Sequence, residues 1–331
     1  MNKVLITGAS GFIGGYIVEA CLAESFEVYA AVRASSSRTY LQDERIQFLL
    51  IDLSDVEAMT QQFKHHAFDY VIHNAGVTKA ADRKGYFKVN TNYTENLVRA
   101  LQAAGHPLKK LVFISSLAAY GPVDGKAEGE DMVMENDLPR PVTMYGESKL
   151  AAEQFLKEQA DLPYVILRPT AVYGPREKDL LSFFKLLAKG LEPYIGFAKQ
   201  QLTFIYVKDL ARLIVTALTS KQQGRSYFVA DGKSYSAQDL GRLGKTFLQQ
   251  RTFKFHLPLA LVRVVALVTE KVAAINGRYP ALNLEKVKEL ESLNWKCDIR
   301  PLQEELGFKA QYDLEQGLKE TINWYRDHQW I

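Results

Sequence analysis

A tyrosine and a lysine stand four positions apart in the stretch MYGESK, at Tyr145 and Lys149. On a helix this spacing puts both side chains on one face, one turn apart. A phenol has a pKa of about 10, and a neighbouring ammonium group favours its ionised form, so such a pair can move a proton. The same residue types also occur at the solvated start of an ordinary helix. The rest of the sequence has to decide between these two interpretations.

Glycines at positions 8, 11 and 14, in the stretch ITGASGFIGG, follow the first predicted strand and fit the pattern G-x-x-G-x-x-G. Small residues allow the backbone to turn tightly and to approach a pyrophosphate, and the helix that follows presents free N–H groups to the anion. Strand, loop and helix stand in the order that dinucleotide binding requires. The alternative is a tight turn without a ligand. The predicted cofactor-binding residues of this loop are Gly8, Ser10, Gly11, Phe12, Ile13 and Gly14.

The end of the second predicted strand, AAVRASSSR, bears on the choice of cofactor. An enzyme that prefers NAD usually places an acid there to hold the ribose 2′-hydroxyl, but Val32 stands at that position. Arg33 follows it, and a guanidinium fits a 2′-phosphate as a bidentate partner, with Ser35, Ser36 or Arg38 as helpers. We therefore expect NADP(H) as the preferred cofactor, with NAD(H) as the alternative. A solvent-exposed arginine without a ligand is the structural alternative.

Two further strand ends supply predicted cofactor contacts. Asp52 and Leu53 follow the third strand, at the carboxyl edge of the sheet where ligands bind in open α/β folds. Asp52 would accept from the adenine amino group, or alternatively cap the next helix. Asn74, Ala75 and Gly76 end the fourth strand, where small residues let a cofactor pass close to the backbone.

Short apolar runs alternate with helical patterns through the first half of the chain. Strands are predicted at 3–7, 27–32, 46–51, 70–74, 110–115, 164–168 and 225–230, and helices at 12–23, 55–65, 86–104 and 146–160. Continuously apolar strands that alternate with helices indicate a parallel sheet covered on both faces. The predicted fold class is α/β, a Rossmann-type doubly wound parallel sheet with a smaller mixed C-terminal lobe.

The predicted organisation has two parts. Residues 1–170 form a dinucleotide-binding domain, to which residues 203–232 partly return, and residues 171–331 form a smaller substrate-binding lobe. The loop at 121–142 is long, acidic and rich in glycine and proline, which is typical of a lid or a mobile surface loop.

Composition narrows the class of protein. The chain has 331 residues, a net charge of +3 and scattered basic residues, so no nucleic-acid partner is predicted. Cys21 and Cys297 lie far apart and form no metal-ligand spacing, which favours a reducing, cytoplasmic location without a metal. Charged residues interrupt the apolar stretch 257–275, so we expect no membrane span but a helix packed on the core. Alternatively, the helix is amphipathic and covers a pocket, forms a dimer face or lies on a membrane surface.

Motifs spread over nearly the whole chain resemble those of the extended short-chain dehydrogenase/reductases, also called the NAD-dependent epimerase/dehydratase family. The matching stretches are TGASGFIG (7–14), IDLSD (51–55), HNAG (73–76), VNTNYTENL (89–97), VFISSLAAYG (112–121), ENDLPRPVTMYGESK (135–149), ILRPTAVYGPR (166–176), FIYVKDLA (204–211) and LGFKAQYDLEQGL (306–318). The set is highly specific for the superfamily and much less so for any one substrate.

The resemblance implies a role for several residues. Tyr145 matches the family's acid/base, Lys149 its lysine and Ser116 its catalytic serine, with Ser115 in support. Arg33 matches the arginine of the NADP-using reductases. With the glycine loop upstream, the reactive interpretation of Tyr145 and Lys149 is therefore favoured. By the same resemblance Pro169 joins the cofactor-binding set, and the helices at 86–104 and 146–160 would pair in a homodimer.

Two departures from the nucleotide-sugar members bear on the reaction. Ala171 stands where those enzymes often carry an asparagine, and Leu202 where they often carry an arginine. The chain is closest in pattern to the dihydroflavonol-reductase and 3β-hydroxysteroid-dehydrogenase branches. We expect an oxidoreductase that interconverts a secondary alcohol and a ketone or aldehyde. A nucleotide-sugar epimerase is the alternative within enzymes, and a cofactor-binding regulatory or scaffold protein is the alternative outside them.

A small-molecule substrate would lie among loops that follow the fourth, fifth and sixth strands. The predicted lining residues are Thr78, Lys79, Ala118, Tyr120, Thr170 and Tyr173. A cation at Lys79 would favour an anionic substrate.

Overall fold

A computed structural model describes residues 1–123, 131–275 and 283–331. The strands are β1 (Lys3–Thr7), β2 (Glu27–Val32), β3 (Gln47–Leu50), β4 (Tyr70–His73), β5 (Lys110–Ile114), β6 (Tyr164–Pro169), β7 (Ala171–Tyr173), β8 (Leu191–Ile195), β9 (Phe204–Tyr206), β10 (Arg225–Val229) and β11 (Phe253–Leu257). The helices are α1 (Phe12–Ala23), α2 (Val56–His66), α3 (Arg83–Phe87), α4 (Tyr93–Ala104), α5 (Met144–Lys157), α6 (Leu181–Ala188), α7 (Val207–Thr219), α8 (Ala237–Leu248), α9 (Leu259–Ile275), α10 (Leu284–Glu291), α11 (Arg300–Leu306) and α12 (Leu314–Asp327). A π-helical turn, Lys88–Asn92, joins α3 to α4, and a 3₁₀ turn, Leu117–Ala119, follows β5.

Seven strands form one parallel sheet in the order β10-β6-β5-β4-β1-β2-β3. The predicted α/β fold class is confirmed. Because every strand runs in the same direction, all the carboxyl ends meet at one edge of the sheet. From β1, strands β2 and β3 are added on one side of the sheet and β4, β5, β6 and β10 on the other. The chain connections therefore leave β1 and β4 in opposite directions, and a crevice opens between the carboxyl ends of these two strands.

Both faces of the sheet are buried, as the continuously apolar strands predict. On β1, Val4 and Ile6 face one side, where Ile17 of α1 and Ile214 of α7 cover them. Leu5 faces the other side, in the layer built from α2, α4 and α5. This alternation along a strand anchors helices on both faces, so the loops between them assemble at the carboxyl edge.

The C-terminal half contributes to the sheet and also builds smaller units. β10 pairs with β6 as an edge strand, and α7 packs against α1. β8 pairs with β11 and β7 with β9 as two-stranded parallel sheets. In the loop predicted as a lid, residues 124–130 lie outside the described residues, and Val133 bridges to Cys297. Among the described helices, none is long and apolar enough to cross a membrane.

Candidate active site

The glycine loop makes a turn that larger residues would block. Gly8 has φ +68°, in the left-handed region that favours glycine, and a Cβ there would lie 2.8 Å from backbone atoms of Asn74 and Ala75. A Cβ on Gly14 would lie 2.1 Å from the Gly8 carbonyl oxygen. Two of the predicted glycines therefore allow the loop to close against β4 and against the start of α1.

The N-terminus of α1 is open to an anion. Gly11 is its N-cap residue, no side chain caps it, and its first turn contains no acidic residue. Ser10 and Phe12 flank this position, and Ile13 packs on the core. Free N–H groups at a helix start fit the pyrophosphate of a dinucleotide. These residues would hold that group.

The end of β2 forms a tight turn. The Arg33 amide donates to Ser36 Oγ at 3.0 Å, and the Ser36 amide donates to the Arg33 carbonyl oxygen at 2.9 Å. The Arg33 side chain is exposed at the carboxyl edge of the sheet. The guanidinium of Arg38, another of the predicted helpers, lies over the Phe48 ring at 4.2 Å.

The ends of β3 and β4 line the same edge. Asp52 Oδ1 accepts from the Ser54 amide at 2.8 Å, and Asp55 rather than Asp52 caps α2. The Asn74 side chain lies within 3.4 Å of the Gly8 carbonyl oxygen, and the Ala75 amide donates to the Thr7 hydroxyl at 3.1 Å. Leu53 and Pro169 are also at strand ends, and Pro169 is buried opposite Val229.

Tyr145, Lys149 and Ser116 converge beside this edge. Tyr145 and Lys149 lie one turn apart at the start of α5, and Ser116 follows β5 and hydrogen-bonds with Tyr145. Lys149 Nζ donates to the Ile114 carbonyl oxygen at 2.8 Å and lies 4.8 Å from the centre of the Phe113 ring. The folded chain thus brings together three side chains from two segments more than 25 residues apart.

Burial has opposite effects on the two ionisable groups. It raises the pKa of Tyr145 to about 12, and the Ser116 hydrogen bond acts against that shift. It lowers the pKa of Lys149 to about 8, with Glu153 acting against that shift. Tyr145 therefore stays protonated near neutral pH and can give a proton to an acceptor, whereas Lys149 can change its charge close to neutrality.

The comparisons with known proteins agree with this geometry. A model of the NAD dependent epimerase/dehydratase family matches residues 4–230. The chain belongs to this family. It is an enzyme of the extended short-chain dehydrogenase/reductase type.

Three similar proteins illustrate the range of the family. The chain is 25% identical to a ceramide reductase of Caulobacter vibrioides, over 99% of this chain and 96% of the relative. It is 27% identical to a UDP-glucose 4-epimerase of Vibrio cholerae, over 97% of this chain and 94% of the relative. The structure of the Bordetella bronchiseptica enzyme WbmG in complex with NAD matches with a TM-score of 0.79 at 20% identity, over 99% and 95% of the two chains. This last likeness shows the fold alone.

In this family member, a buried network lies beneath the site. The Ser115 hydroxyl donates to Glu153 at 2.5 Å, and Arg168 donates to the same carboxylate from two nitrogens at 2.8 to 3.0 Å. Ser115 therefore points away from Tyr145 and into the core, whereas Ser116 is half-buried. The structure thus separates the two neighbouring serines that the sequence placed together.

Asn90 is a polar contact that sequence reasoning missed. It lies in the π-helical turn, where its side chain accepts from the Val77 amide at 2.8 Å and donates to Ser148 Oγ at 2.9 Å. A Cβ on Gly76 would lie 3.1 Å from Asn90 Oδ1 and 3.2 Å from Lys149 Nζ. The sequence signal was the stretch VNTNYTENL, which contains Asn90 and matches the family. The burial of Asn90 and the π-helical turn, a feature that often occurs at functional sites, are seen only in the structure.

Two carboxylates of α10 also approach α5. Glu285 accepts from the Met144 amide at 2.5 Å, one residue before Tyr145. The charge of Glu289 contributes to the raised pKa of Tyr145. Because α10 is about 140 residues further along the chain, no local sequence pattern indicates this contact.

The predicted substrate residues fall into three groups. Thr78 and Lys79 are exposed, and Lys79 pairs with Asp179 at 2.9 Å, so that its charge already has a partner. Tyr120 packs against Arg168, and Tyr173 donates to the Asp313 carbonyl oxygen from the core, so both rings have structural roles. The remaining two, Ala118 and Thr170, are buried and follow β5 and β6.

Proposed function

We propose that the chain is an NAD(P)-dependent oxidoreductase that interconverts a secondary alcohol and a ketone or aldehyde. The observation that carries the proposal is the meeting of Tyr145, Ser116 and Lys149 beside the open start of α1. A nicotinamide, when bound, supplies or accepts the hydride. The residues of the chain then have to position the substrate oxygen and move one proton.

Tyr145 gives its proton to the carbonyl oxygen while the carbonyl carbon gains the hydride. Ser116 donates a hydrogen bond to that oxygen and stabilises the charge that develops there. Lys149, held by the Ile114 carbonyl oxygen, stabilises the phenolate until Tyr145 recovers a proton from solvent. Asn90 positions the segment around Gly76 against Lys149.

The cofactor preference is the finer part of the proposal. Arg33 stands exposed after β2, in a turn closed by Ser36, and no acid follows β2 directly. A 2′-phosphate there gains charge-assisted hydrogen bonds from the guanidinium. We therefore propose NADP(H) as the preferred cofactor.

Substrate contacts follow from the same edge of the sheet. The Thr170 hydroxyl is buried and has no hydrogen-bond partner within the described ranges. A buried hydroxyl of this kind is available to a polar atom of a ligand. We propose Thr170, Ala118 and Thr78 as substrate contacts. Tyr120 and Tyr173 are not proposed, because their rings pack in the core.

The test is NADPH consumption by the purified chain with a panel of ketones, aldehydes and nucleotide sugars. Tyr145→Phe should abolish turnover and retain NADPH binding, measured by cofactor fluorescence. Tyr86→Phe is the matched control. The Tyr86 ring lies 6.5 Å from that of Tyr145, and the Tyr86 hydroxyl donates to the Thr78 carbonyl oxygen at 3.4 Å. Tyr86→Phe should keep most of the activity.

Two results would overturn the reductase proposal. Conversion of a nucleotide sugar without net NADPH consumption would favour the epimerase, against the indications of Ala171 and Leu202. Turnover that survives in Tyr145→Phe would remove Tyr145 from the mechanism.

We further propose a cytoplasmic homodimer in which α4 and α5 pair across a two-fold axis. These helices pack on the same face of the sheet and leave residues such as Glu95 and Arg99 toward solvent. Both cysteines are free, which fits a reducing compartment. Light scattering of the purified chain measures the dimer, and a monomeric mass would refute it.

A further inference from the structure

Helix α9 exposes an unusual amount of apolar surface. Of the twelve exposed large hydrophobic side chains in the described ranges, five belong to this one helix. They are Leu261, Val264, Val265, Leu267 and Val268, each between 42% and 56% exposed, and we call them the α9 apolar face. Soluble monomers seldom leave so many adjacent apolar side chains in water without a function.

The spacing of these residues places them together. Positions 261, 264, 265 and 268 follow the i, i+3, i+4, i+7 pattern of one helix face. Val262 and Ala266 lie on the opposite side and are buried against Val287 of α10. The helix therefore has a narrow apolar stripe toward the protein and a wider one toward solvent, whereas an ordinary surface helix is polar on its outer face.

The apolar face continues onto the loop that follows β8. A Cβ on Gly196 would lie 3.7 Å from Leu259 Cγ, so the next residue, Phe197, stands beside the start of α9. Phe197 is 76% exposed and stacks on His256 at 5.2 Å. An aromatic ring beside aliphatic side chains is typical of segments that enter a membrane interface.

Lysines border this surface. Lys199 follows Phe197, and Lys271 extends the row of Val264 and Val268 by one further turn; both are exposed. Lys254 lies 5.0 Å from the Tyr194 ring, which in turn lies 5.5 Å from that of His256. This arrangement suits an anionic lipid surface. A second copy docked on this face would present the same lysines rather than an anionic surface, so it offers less charge complementarity than an anionic lipid does.

The surface also lies close to the candidate active site. Val262 and Ala266 rest on α10, and Glu285 of α10 accepts from the Met144 amide at the start of α5. One helix therefore separates the α9 apolar face from the helix that carries Tyr145.

We propose that the α9 apolar face, with Phe197, docks on an anionic phospholipid membrane and that the enzyme takes a lipid-borne alcohol or ketone from it. The substrate class rests on the proposed function, whereas the docking does not. Apolar side chains would enter the acyl boundary while the three lysines meet lipid headgroups.

The test is co-sedimentation of the purified full chain with vesicles of phosphatidylcholine alone or with one quarter phosphatidylglycerol. We expect binding to the anionic vesicles, and a loss of at least roughly tenfold in Val264→Glu/Val268→Glu, which puts charge into the buried contact. Leu138→Glu/Leu186→Glu is the matched control at exposed apolar positions elsewhere and should bind like wild type. Lys199→Gln/Lys254→Gln/Lys271→Gln should reduce the preference for anionic vesicles.

Other outcomes overturn the docking. They are equal binding by the wild type and Val264→Glu/Val268→Glu, no binding of the wild type to either vesicle, or a dimer by light scattering that this variant dissociates. Vesicle binding needs no turnover, so it can succeed where the reductase assay fails. A turnover assay tests the substrate class. If the chain reduces water-soluble and vesicle-borne ketones equally well, and Val264→Glu/Val268→Glu does not slow reduction of the vesicle-borne ketone, the lipid substrate is refuted.

Discussion

Arg168 of β6 and Glu153 of α5 form a fully buried ion pair, in which two guanidinium nitrogens donate to the carboxylate at 2.8 to 3.0 Å. The same carboxylate accepts the Ser115 hydroxyl. Because α5 also carries Tyr145 and Lys149, the pair ties the helix of the proposed proton donor to the central sheet.

Breaking this pair on one side should be costly. Glu153→Gln leaves a buried guanidinium without a counter-charge, and we expect the free energy of unfolding to fall by about 3–5 kcal/mol. Adding Arg168→Met removes the stranded charge, so the double variant should lose clearly less than the sum of the two single variants. Urea denaturation of the four proteins measures the coupling.

Lys157→Gln is the control for this cycle. Lys157 Nζ lies 4.0 Å from Glu153 and its side chain is partly exposed, so its removal should cost less than about 1 kcal/mol. Strict additivity of Glu153→Gln and Arg168→Met would contradict the role assigned to the ion pair.

The sequence predicted the sheet well because its strands are continuously apolar. The predicted and observed bounds of the strands at Lys3–Thr7 and Glu27–Val32 are identical. Local patterns could not predict contacts that depend on tertiary packing. The Lys79–Asp179 pair spans 100 positions and the contact of Met144 with Glu285 spans 141.

The two serines after β5 offer a paired test of the mechanism. Ser116→Ala removes the hydroxyl that contacts Tyr145, and we expect kcat to fall by roughly 10²–10³. The same hydroxyl accepts from the Ala118 amide and caps the 3₁₀ turn, so the free energy of unfolding should fall by about 1 kcal/mol as well. Ser115→Ala removes a buried hydrogen bond to Glu153, so it should lower the free energy of unfolding by about 1–3 kcal/mol. Its kcat should fall less than that of Ser116→Ala. Steady-state kinetics and urea denaturation of both variants separate the two roles. A larger loss of kcat in Ser115→Ala than in Ser116→Ala would assign the catalytic role to Ser115 instead.

Arg33 should decide between the two cofactors. Arg33→Ser removes the exposed guanidinium after β2, and we expect the KM for NADPH to rise roughly 10- to 100-fold, since one charge-assisted hydrogen-bonding group is lost. The KM for NADH should change little. Arg38→Ser, which removes a side chain packed over Phe48, is the control and should have the smaller effect. An equal rise for both cofactors would refute a 2′-phosphate contact.

His73 should make the protein sensitive to acid. Its ring is fully buried, Nδ1 lies 2.7 Å from Thr7 Oγ1 and Nε2 lies 2.9 Å from Thr94 Oγ1. Burial and the charge of Lys149 lower the pKa of His73 from 6.5 to about 3. Between these values the unfolded chain binds a proton that the native chain does not, so stability falls as the pH decreases from 6.5.

At pH 5 this linkage amounts to about 2 kcal/mol relative to pH 7, at roughly 1.4 kcal/mol per pH unit. His73→Gln has no proton to gain, so its loss of stability between pH 7 and pH 5 should be about 2 kcal/mol smaller than that of the wild type, whatever its stability at pH 7. His65→Gln, at an exposed position of α2, should keep the wild-type loss. Urea denaturation at the two pH values measures all three proteins, and equal losses in the wild type and His73→Gln would show that the acid sensitivity arises elsewhere.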